Sequence, residues 1–153
     1  MRNTDKKDIF DRLMGLPILR VFEPFYKKNK EVLLYLFFGG LTFLVSIASY
    51  AYFNIIWQWN ELVANIVSWI LAVLFAFITN RIWVFDKPTD SVGAFMKQML
   101  SFFGGRVATL VVEEIILLVF ITLLHFGSMP VKVVAQIIVI LLNYVISKWF
   151  VFK

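Results

Sequence analysis

The sequence predicts an all-α, polytopic membrane protein with four transmembrane helices arranged as two parallel helical-hairpin repeats. Three observations predict this fold: the apolar composition, the long uncharged runs and a set of landmarks that occurs twice. The 153 residues are 61% hydrophobic and 18% aromatic, with a mean hydropathy of +0.83. That is more apolar surface than one soluble core of this size could bury, so the chain belongs in a bilayer.

Four apolar runs are long enough to be membrane spans. A hydrocarbon core of about 30 Å requires roughly 20 apolar residues per helix. We expect spans near residues 32–53, 62–85, 99–124 and 131–152. The third run contains Arg106, Glu113 and Glu114, but predicted spans on both sides leave it little alternative to crossing.

The duplicated landmarks open and close each pair of spans. The letters FFGG occur at residues 37–40 and 102–105, and a basic residue followed by an aromatic-Val-Phe ending occurs at 80–85 and 147–152. The openings lie 65 residues apart and the endings 67 apart, which a duplicated two-helix unit explains. We therefore predict one membrane domain, 32–153, with repeats 32–85 and 99–152 joined by a polar linker at 86–93.

The positive charges predict the orientation of these spans. Of the 15 Lys and Arg residues, eight precede the first span, four lie from Arg81 to Arg106, and two are Lys148 and Lys153. Lys132 alone falls on the other side. Both termini should therefore be cytoplasmic, and an even number of spans per repeat makes the repeats parallel rather than inverted. The net charge of +5 fits anionic membrane lipids, and nothing indicates nucleic acid as a partner.

The first 31 residues differ from the rest of the chain. Apolar residues recur at helical spacing among charged ones between Ile9 and Leu16, and Pro17 and Pro24 then interrupt the pattern. This composition fits a short amphipathic helix in the inner membrane interface, and equally a loosely ordered cytoplasmic tail. No uninterrupted apolar core with a cleavage site follows the early charges, so we do not expect a cleaved signal peptide.

Several function classes are disfavoured by what the sequence lacks. It has no cysteine, a single histidine and no phosphate-binding loop of the GxxxxGK[ST] type, so we expect no metal, no cofactor and no ATP-driven pump. Glu113 and Glu114 are adjacent, and neighbouring side chains on a helix point about 100° apart, so they cannot flank one bond as a hydrolytic pair does. We expect that the protein is not an enzyme.

The charged residues within the predicted spans are candidates for function. Arg81, Arg106 and Lys148 lie at a similar depth on three different helices. They either extend to the headgroups as anchors or line a polar cavity, and we favour the cavity. Glu113 follows Arg106 by seven residues on nearly the same face, about 10 Å deeper. An acid at that depth should be paired, protonated or facing a polar cavity, and Arg106 is the expected partner.

Polar side chains also form stripes on individual spans. Asn80 belongs to such a stripe on the second span, and the fourth span carries another, which consists of Lys132, Gln136, Asn143 and Ser147. Small and polar residues between membrane helices mostly serve close packing and interhelical hydrogen bonds. We therefore favour packing over substrate contact for the stripes as a whole.

Taken together, these segments resemble the GtrA family of small four-helix membrane proteins. The resemblance covers residue 32 to the end and rests on the FFGG openings and on the endings at 80–85 and 147–152. It implies translocation of a polyprenyl-phosphate-linked sugar across the cytoplasmic membrane of a bacterium or archaeon, for glycosylation of surface polysaccharide, O-antigen or teichoic acid. It also implies functional positions at Asn80, Arg81, Arg106, Asn143 and Lys148.

With a lipid-linked sugar as substrate, each candidate residue has an expected role, although the family pattern itself does not include Gln136, Glu113 or Glu114. Arg81, Arg106 and Lys148 would bind the lipid phosphate, and Asn80, Asn143 and Gln136 would contact the sugar. Glu113 and Glu114 would serve proton coupling or charge pairing. The expected partners are the sugar lipid and anionic lipids, and a membrane glycosyltransferase or a second copy of the chain remains open. Two alternatives also remain: a non-transporting subunit that recruits or stabilises a glycosyltransferase, and a small proton-coupled exporter.

Overall fold

The computed structural model describes residues 9–152, without the side chains of Glu61, Leu62, Ser128, Met129 and Lys132. Within these residues all regular structure is helical, which confirms the predicted all-α class. The α-helices are α1 Ile9–Met14, α2 Glu23–Ala51, α3 Glu61–Thr79, α4 Val92–Leu117 and α5 Ser128–Ile146. The chain divides into two compact units between Asp86 and Lys87. The first unit contains α1, α2 and α3, and the second contains α4 and α5.

Three helical stretches in the described part of the chain are long and apolar enough to cross a membrane. They are Arg20–Ile56, Val63–Val84 and Val133–Val151, and they correspond to the first, second and fourth predicted spans. The third predicted span falls on α4, which is not among the three and which carries Arg106, Glu113 and Glu114. The protein is thus a membrane protein, whereas a crossing by α4 stays a prediction.

Helix α2 begins before the first predicted span, residues 32–53, and bends before that span starts. Pro24 lies in its first turn, where a missing N–H costs no helical hydrogen bond. Asn29 departs from helical geometry, with φ −115° and ψ 17°, and its side-chain amide donates to the Phe25 carbonyl at 3.0 Å. The apolar run predicted from residue 32 therefore starts just after this kink.

In the first unit, α3 packs against α2 through a stripe of mostly small residues. The α2 side of this contact buries Leu34, Tyr35 and Phe38. Small side chains let two helix backbones approach closely in a membrane. The buried α3 residues include a set that recurs every four positions and continues into the following turn: Ala64, Ser68, Ala72, Ala76, Asn80 and Val84. Val73, Phe77 and Thr79 of α3 are buried as well.

The second unit repeats this pattern of burial. On α5 and the turn that follows it, the buried residues are Ala135, Val139, Asn143, Ser147 and Val151. Each lies 67 positions after a buried residue of the first unit, namely Ser68, Ala72, Ala76, Asn80 and Val84. The spacing between the duplicated endings therefore reappears in the packing of the two hairpins.

The duplicated endings adopt the same unusual geometry. The last turns of the two hairpins, Asn80–Val84 and Ser147–Val151, are π turns. In each, a phenylalanine N–H bonds five residues back: Phe85 to the Asn80 carbonyl and Phe152 to the Ser147 carbonyl, both at 2.9 Å. The sequence pattern did not predict these π turns. The first helix of each hairpin also ends in a π turn, Tyr52–Ile56 and Leu118–Leu123, so the geometry alone does not mark the endings as functional.

The linker between the units begins and ends with local signals. Asp86 adopts a left-handed φ of 47°, which stops the preceding helix. Ser91 has an extended backbone, and its side chain accepts a hydrogen bond from the Ala94 N–H at 3.2 Å. A serine that binds the free N–H groups of a first turn is a common start of a helix.

One glycine of the second FFGG motif sets how closely α4 and α5 approach. A Cβ added at Gly105 would lie 2.8 Å from the Cγ2 of Ile146, whereas one added at Gly40, its counterpart in the first motif, would meet nothing within 4 Å. Ile146 is β-branched and helical, so its methyl group cannot easily rotate away. The two copies of the motif therefore have different packing roles.

We expect Gly105→Ala to destabilise the protein by about 1–2 kcal/mol, because overpacking costs about 1–3 kcal/mol and the gain in helix propensity offsets only part of it. Gly40→Ala is the matched control and should be neutral or stabilising. Thermal unfolding in detergent measures both. Adding Ile146→Ala to Gly105→Ala should relieve the clash, and equal behaviour of the two single variants would contradict this packing.

Candidate functional site

The end of the first hairpin holds Asn80 and Arg81 side by side in a π turn. Asn80 is buried and Arg81 is half-buried. The Asn80 amide nitrogen donates to the Ala76 carbonyl at 2.7 Å. Its side-chain oxygen is buried and accepts no hydrogen bond from any described residue. An unsatisfied buried acceptor costs about 1–3 kcal/mol, so this oxygen is suited to receive a hydroxyl or N–H from outside the hairpin.

Aromatic rings lie beside these two residues. Phe38 of the first FFGG motif stacks on Trp83, with ring centroids 5.3 Å apart and planes 18° from parallel. Trp83 sits in the same π turn as Arg81. The contact places Arg81 near the level of Gly40 on α2, because the helices of a hairpin run antiparallel. The first FFGG motif and the ending at residues 80–85 therefore lie side by side in the first hairpin.

The end of the second hairpin holds Arg106 on α4 and Lys148 in the π turn after α5. Two contacts fix the register of this hairpin: Gly105 faces Ile146, and the Thr109 hydroxyl lies 2.9 Å from the Asn143 side-chain oxygen. This antiparallel register puts Arg106 and Lys148 within about one helical turn of each other along the hairpin axis. Two of the three predicted cations are therefore at one level.

Both cations of the second hairpin lie over aromatic rings of their own helices. The Arg106 guanidinium is 4.7 Å from the centre of the Phe102 ring. The Lys148 ammonium is 5.5 Å from the centre of the Tyr144 ring and donates to the Tyr144 hydroxyl at 3.2 Å. Each ring lies one turn towards the N-terminus, the direction in which long helical side chains point. Cation–π contact leaves a guanidinium or ammonium able to bind an anion as well.

The expected pairing of Arg106 with Glu113 is not observed. Among the described residues, Arg106 forms no ion pair, and its side chain turns towards Phe102. The physical reason is direction: helical side chains point towards the N-terminus, whereas Glu113 lies seven residues and about 10 Å in the opposite direction. The sequence spacing placed both residues on nearly one face but did not bring their side chains together.

The two glutamates have different surroundings. Glu113 is buried, on the same face of α4 as Phe102 and Thr109, which is the face that packs against α5. Glu114 is exposed. Gln136 is also exposed, and it lies about 10 Å along α5 from Asn143. Glu114 and Gln136 are therefore not brought to the end of the hairpin where Arg106, Asn143 and Lys148 lie.

The sequence reasoning missed one polar residue of this hairpin. Thr109 is buried, and its hydroxyl lies within hydrogen-bond distance of both the Asn143 side chain and the Arg106 carbonyl, at 2.9 and 3.1 Å. A signal was present, because Thr109 is the polar residue between Gly105 and Glu113 at four-residue spacing. Hydroxyls on such a face often bond across helices. Lys132, in the polar stripe of the fourth span, lies outside the side chains that the structure describes.

With this geometry in place, comparison with known proteins identifies the family. Residues 34–152 match the family described as GtrA/DPMS, transmembrane domain. The chain belongs to this family. The match spans both hairpins and includes every candidate residue discussed above. The predicted family resemblance is therefore confirmed.

Similar proteins occur in two bacterial genera, Listeria and Bacillus. The chain is 34% identical over 131 residues to the cell wall teichoic acid glycosylation protein GtcA of Listeria innocua, which covers 85% of this chain and 90% of the relative. It is 34% identical over 123 residues to GtcA of Listeria monocytogenes, covering 80% and 85%. It is 32% identical over 120 residues to the uncharacterized membrane protein YwcD of Bacillus subtilis, covering 78% and 94%. No solved structure matches the chain.

We expect Arg106 and Glu113 to contribute independently to stability, since the Arg106 side chain extends towards Phe102 and away from Glu113. Arg106→Gln, Glu113→Gln and the double variant form a mutant cycle, measured by unfolding in detergent. The coupling energy should stay within about 0.5 kcal/mol, as for separated sites. A coupling well above about 1 kcal/mol would mean that the two side chains form an ion pair.

Proposed function

We propose that this member of the GtrA/DPMS family translocates a polyprenyl-phosphate-linked sugar across the cytoplasmic membrane, for glycosylation of a cell-surface polymer such as teichoic acid. The observation that carries the proposal is the cationic residue at the end of each hairpin, Arg81 and Lys148, at matched positions of two π turns. The names of the Listeria relatives support the polymer. The lipid-linked sugar is the partner that this chemistry fits.

The physical problem in such a reaction is the headgroup. A sugar phosphate that entered the hydrocarbon core without protein contacts would lose its hydration, at a cost of many kcal/mol. The apolar polyprenyl tail, in contrast, is soluble in the hydrocarbon core. A polar path along the protein lets the headgroup cross while the tail stays in the bilayer. The protein then has to supply charge for the phosphate and hydrogen-bond partners for the hydroxyls.

The two hairpin ends carry groups of both kinds. Arg81, Arg106 and Lys148 would bind the phosphate, and a guanidinium can donate two parallel hydrogen bonds to it. The buried Asn80 oxygen lacks a donor among the described residues and would accept one from a sugar hydroxyl. Asn143, whose oxygen is already 2.9 Å from Thr109, would hold the second hairpin in place and offer its amide.

Translocation also requires a defined orientation of the helices in the membrane and a source of energy. We propose four spans, with α4 crossing as the third and both termini in the cytoplasm, because all but one of the basic residues then face the inner side. The chain is not an enzyme in this account. Translocation would be driven by the concentration gradient of the lipid-linked sugar across the membrane, or coupled to protons through the buried Glu113.

A non-transporting subunit is the second candidate. It is favoured by one observation, the contacts of Arg106 and Lys148 with the rings of Phe102 and Tyr144, which would also suit purely structural cations. In that role the chain would recruit or stabilise a glycosyltransferase. A proton-coupled exporter of hydrophobic cations fits less well, because positive residues at the hairpin ends would repel the cargo.

The topology can be tested because the chain contains no cysteine. A single cysteine at Asn60, between α2 and α3, should react with an impermeant thiol reagent added to intact cells. A cysteine at Asp90, in the linker, should react only after the membrane is opened. The reverse pattern would contradict the proposed orientation.

The phosphate-binding role can be tested with Arg81→Gln and Lys148→Gln. Each should reduce glycosylation of the wall polymer in cells about tenfold or more, because a hydrogen bond to a charged group contributes about 1.5–3 kcal/mol. The polymer-bound sugar and the amount of protein in the membrane are measured together.

The control for these variants is Lys97→Gln, which removes an exposed cation from the start of α4 and should leave glycosylation unchanged. If both hairpin-end variants retain normal glycosylation at normal protein levels, their side chains are anchors, and the proposal fails.

A further inference from the structure

The segment that precedes the first span exposes many large apolar side chains. Exposed apolar residues on the later helices are explained by contact with lipid tails, but residues 9–28 come before the apolar run that begins near residue 32. The exposed set consists of Ile9, Leu13, Leu16, Ile18, Val21, Phe22 and Phe25. An apolar surface of this extent on one short segment requires a covering partner.

The length of the helix indicates where this segment lies. The helical stretch Arg20–Ile56 has 37 residues, which corresponds to about 55 Å, well beyond the roughly 30 Å of the hydrocarbon core. The kink at Asn29 bends the chain where the excess begins. Residues before the kink are therefore placed at the membrane surface, next to the span to which they are joined.

The segment is held against the first hairpin by specific contacts. The Phe10 ring lies edge-on to Phe37 and Phe38, at centroid distances of 5.9 and 5.6 Å. The Lys30 ammonium pairs with the Asp11 carboxylate at 2.7 Å, and the two side chains are only 13% and 21% exposed. A six-residue helix is not stable alone in water, so these contacts keep α1 in place.

The charges of the segment favour an anionic surface. Both of its acids are in ion pairs: Asp11 with Lys30, and Glu23 with Lys27 at 2.7 Å. Three further cations are exposed, and none of them forms an ion pair with another described residue. They are Arg12, Arg20 and Lys28. Apolar side chains interleaved with cations are the composition that binds anionic phospholipid at the membrane surface.

We propose that residues 9–28 form an interfacial anchor that inserts its apolar side chains between phospholipid headgroups and binds anionic headgroups through Arg12, Arg20 and Lys28. Phe10 connects this anchor to Phe38, which stacks on Trp83 in the turn that contains Arg81. The anchor thereby holds the end of the first hairpin at the depth of the headgroups. This inference does not depend on the translocation proposal.

The test places a fluorophore on the full-length protein in vesicles. A single cysteine at Ile18, which is 87% exposed, carries an environment-sensitive dye, and a cysteine at the exposed Asp90 of the linker is the matched control. The vesicles contain phosphatidylcholine alone or with phosphatidylglycerol. Lipids with a nitroxide near the headgroup quench a dye in the interface, and iodide quenches a dye in water.

We expect the dye at residue 18 to be quenched severalfold more by the nitroxide lipids, and less by iodide, than the dye at residue 90. Phosphatidylglycerol should strengthen this difference. The variant Arg12→Gln, Arg20→Gln, Lys28→Gln should lose the effect of phosphatidylglycerol and retain quenching in phosphatidylcholine. A control variant in which Lys87 and Lys97 are neutralised instead should retain both the effect of phosphatidylglycerol and the quenching in phosphatidylcholine.

Two results would overturn the anchor. Iodide quenching at residue 18 equal to that at residue 90 would mean that the segment is in water. Protection from iodide without quenching by nitroxide lipids would mean that protein covers the segment, as in contact with a second copy of the chain.

Discussion

The constraint on which the rest of the structure depends is that a bilayer offers no hydrogen-bond partner to a polar side chain. The hydroxyls within the helices satisfy it locally. Thr42, Ser49 and Thr79 each donate to the carbonyl four residues earlier, at 2.8, 2.6 and 2.9 Å. Thr109 instead reaches the neighbouring helix and Asn143. Against this background the buried Asn80 oxygen, for which no described residue supplies a donor, departs from the pattern, and a hydrogen bond from a substrate would satisfy it.

The two copies of the repeated unit meet this constraint in different ways. Both hairpins keep the four-residue stripe of buried side chains and the closing π turn. The second copy packs tightly at Gly105 and joins its helices through Thr109 and Asn143. The first copy leaves space at Gly40, and its Asn80 oxygen accepts no hydrogen bond from any described residue. We therefore interpret the second hairpin as the more rigid one, which holds Arg106 and Lys148 in place. We interpret the first as the hairpin whose Asn80 oxygen can accept a hydrogen bond from a substrate.

The sequence was sufficient for the features that repeat. The apolar runs located three of the spans, and the matched endings placed Arg81 and Lys148 in equivalent turns. The contact of Arg106 with Phe102 was not predicted, because helical spacing gives the face of a residue but not the direction in which its side chain extends along the axis. The π turns and the kink at Asn29 were also not predicted, since they lie at the ends of the apolar runs, where little of the helical pattern remains to be shifted.

In the proposed function, the cationic hairpin ends serve the passage of a lipid-linked sugar. The most direct measurement uses the purified protein in vesicles that contain a polyprenyl-phosphate sugar, and follows how fast an enzyme added outside gains access to sugar from the inner leaflet. We expect the enzyme to gain access much faster in vesicles with the protein than in empty vesicles of the same lipids. Equal rates in the two kinds of vesicle, with correctly inserted protein, would contradict translocation and leave the chain as a subunit that recruits or stabilises a glycosyltransferase.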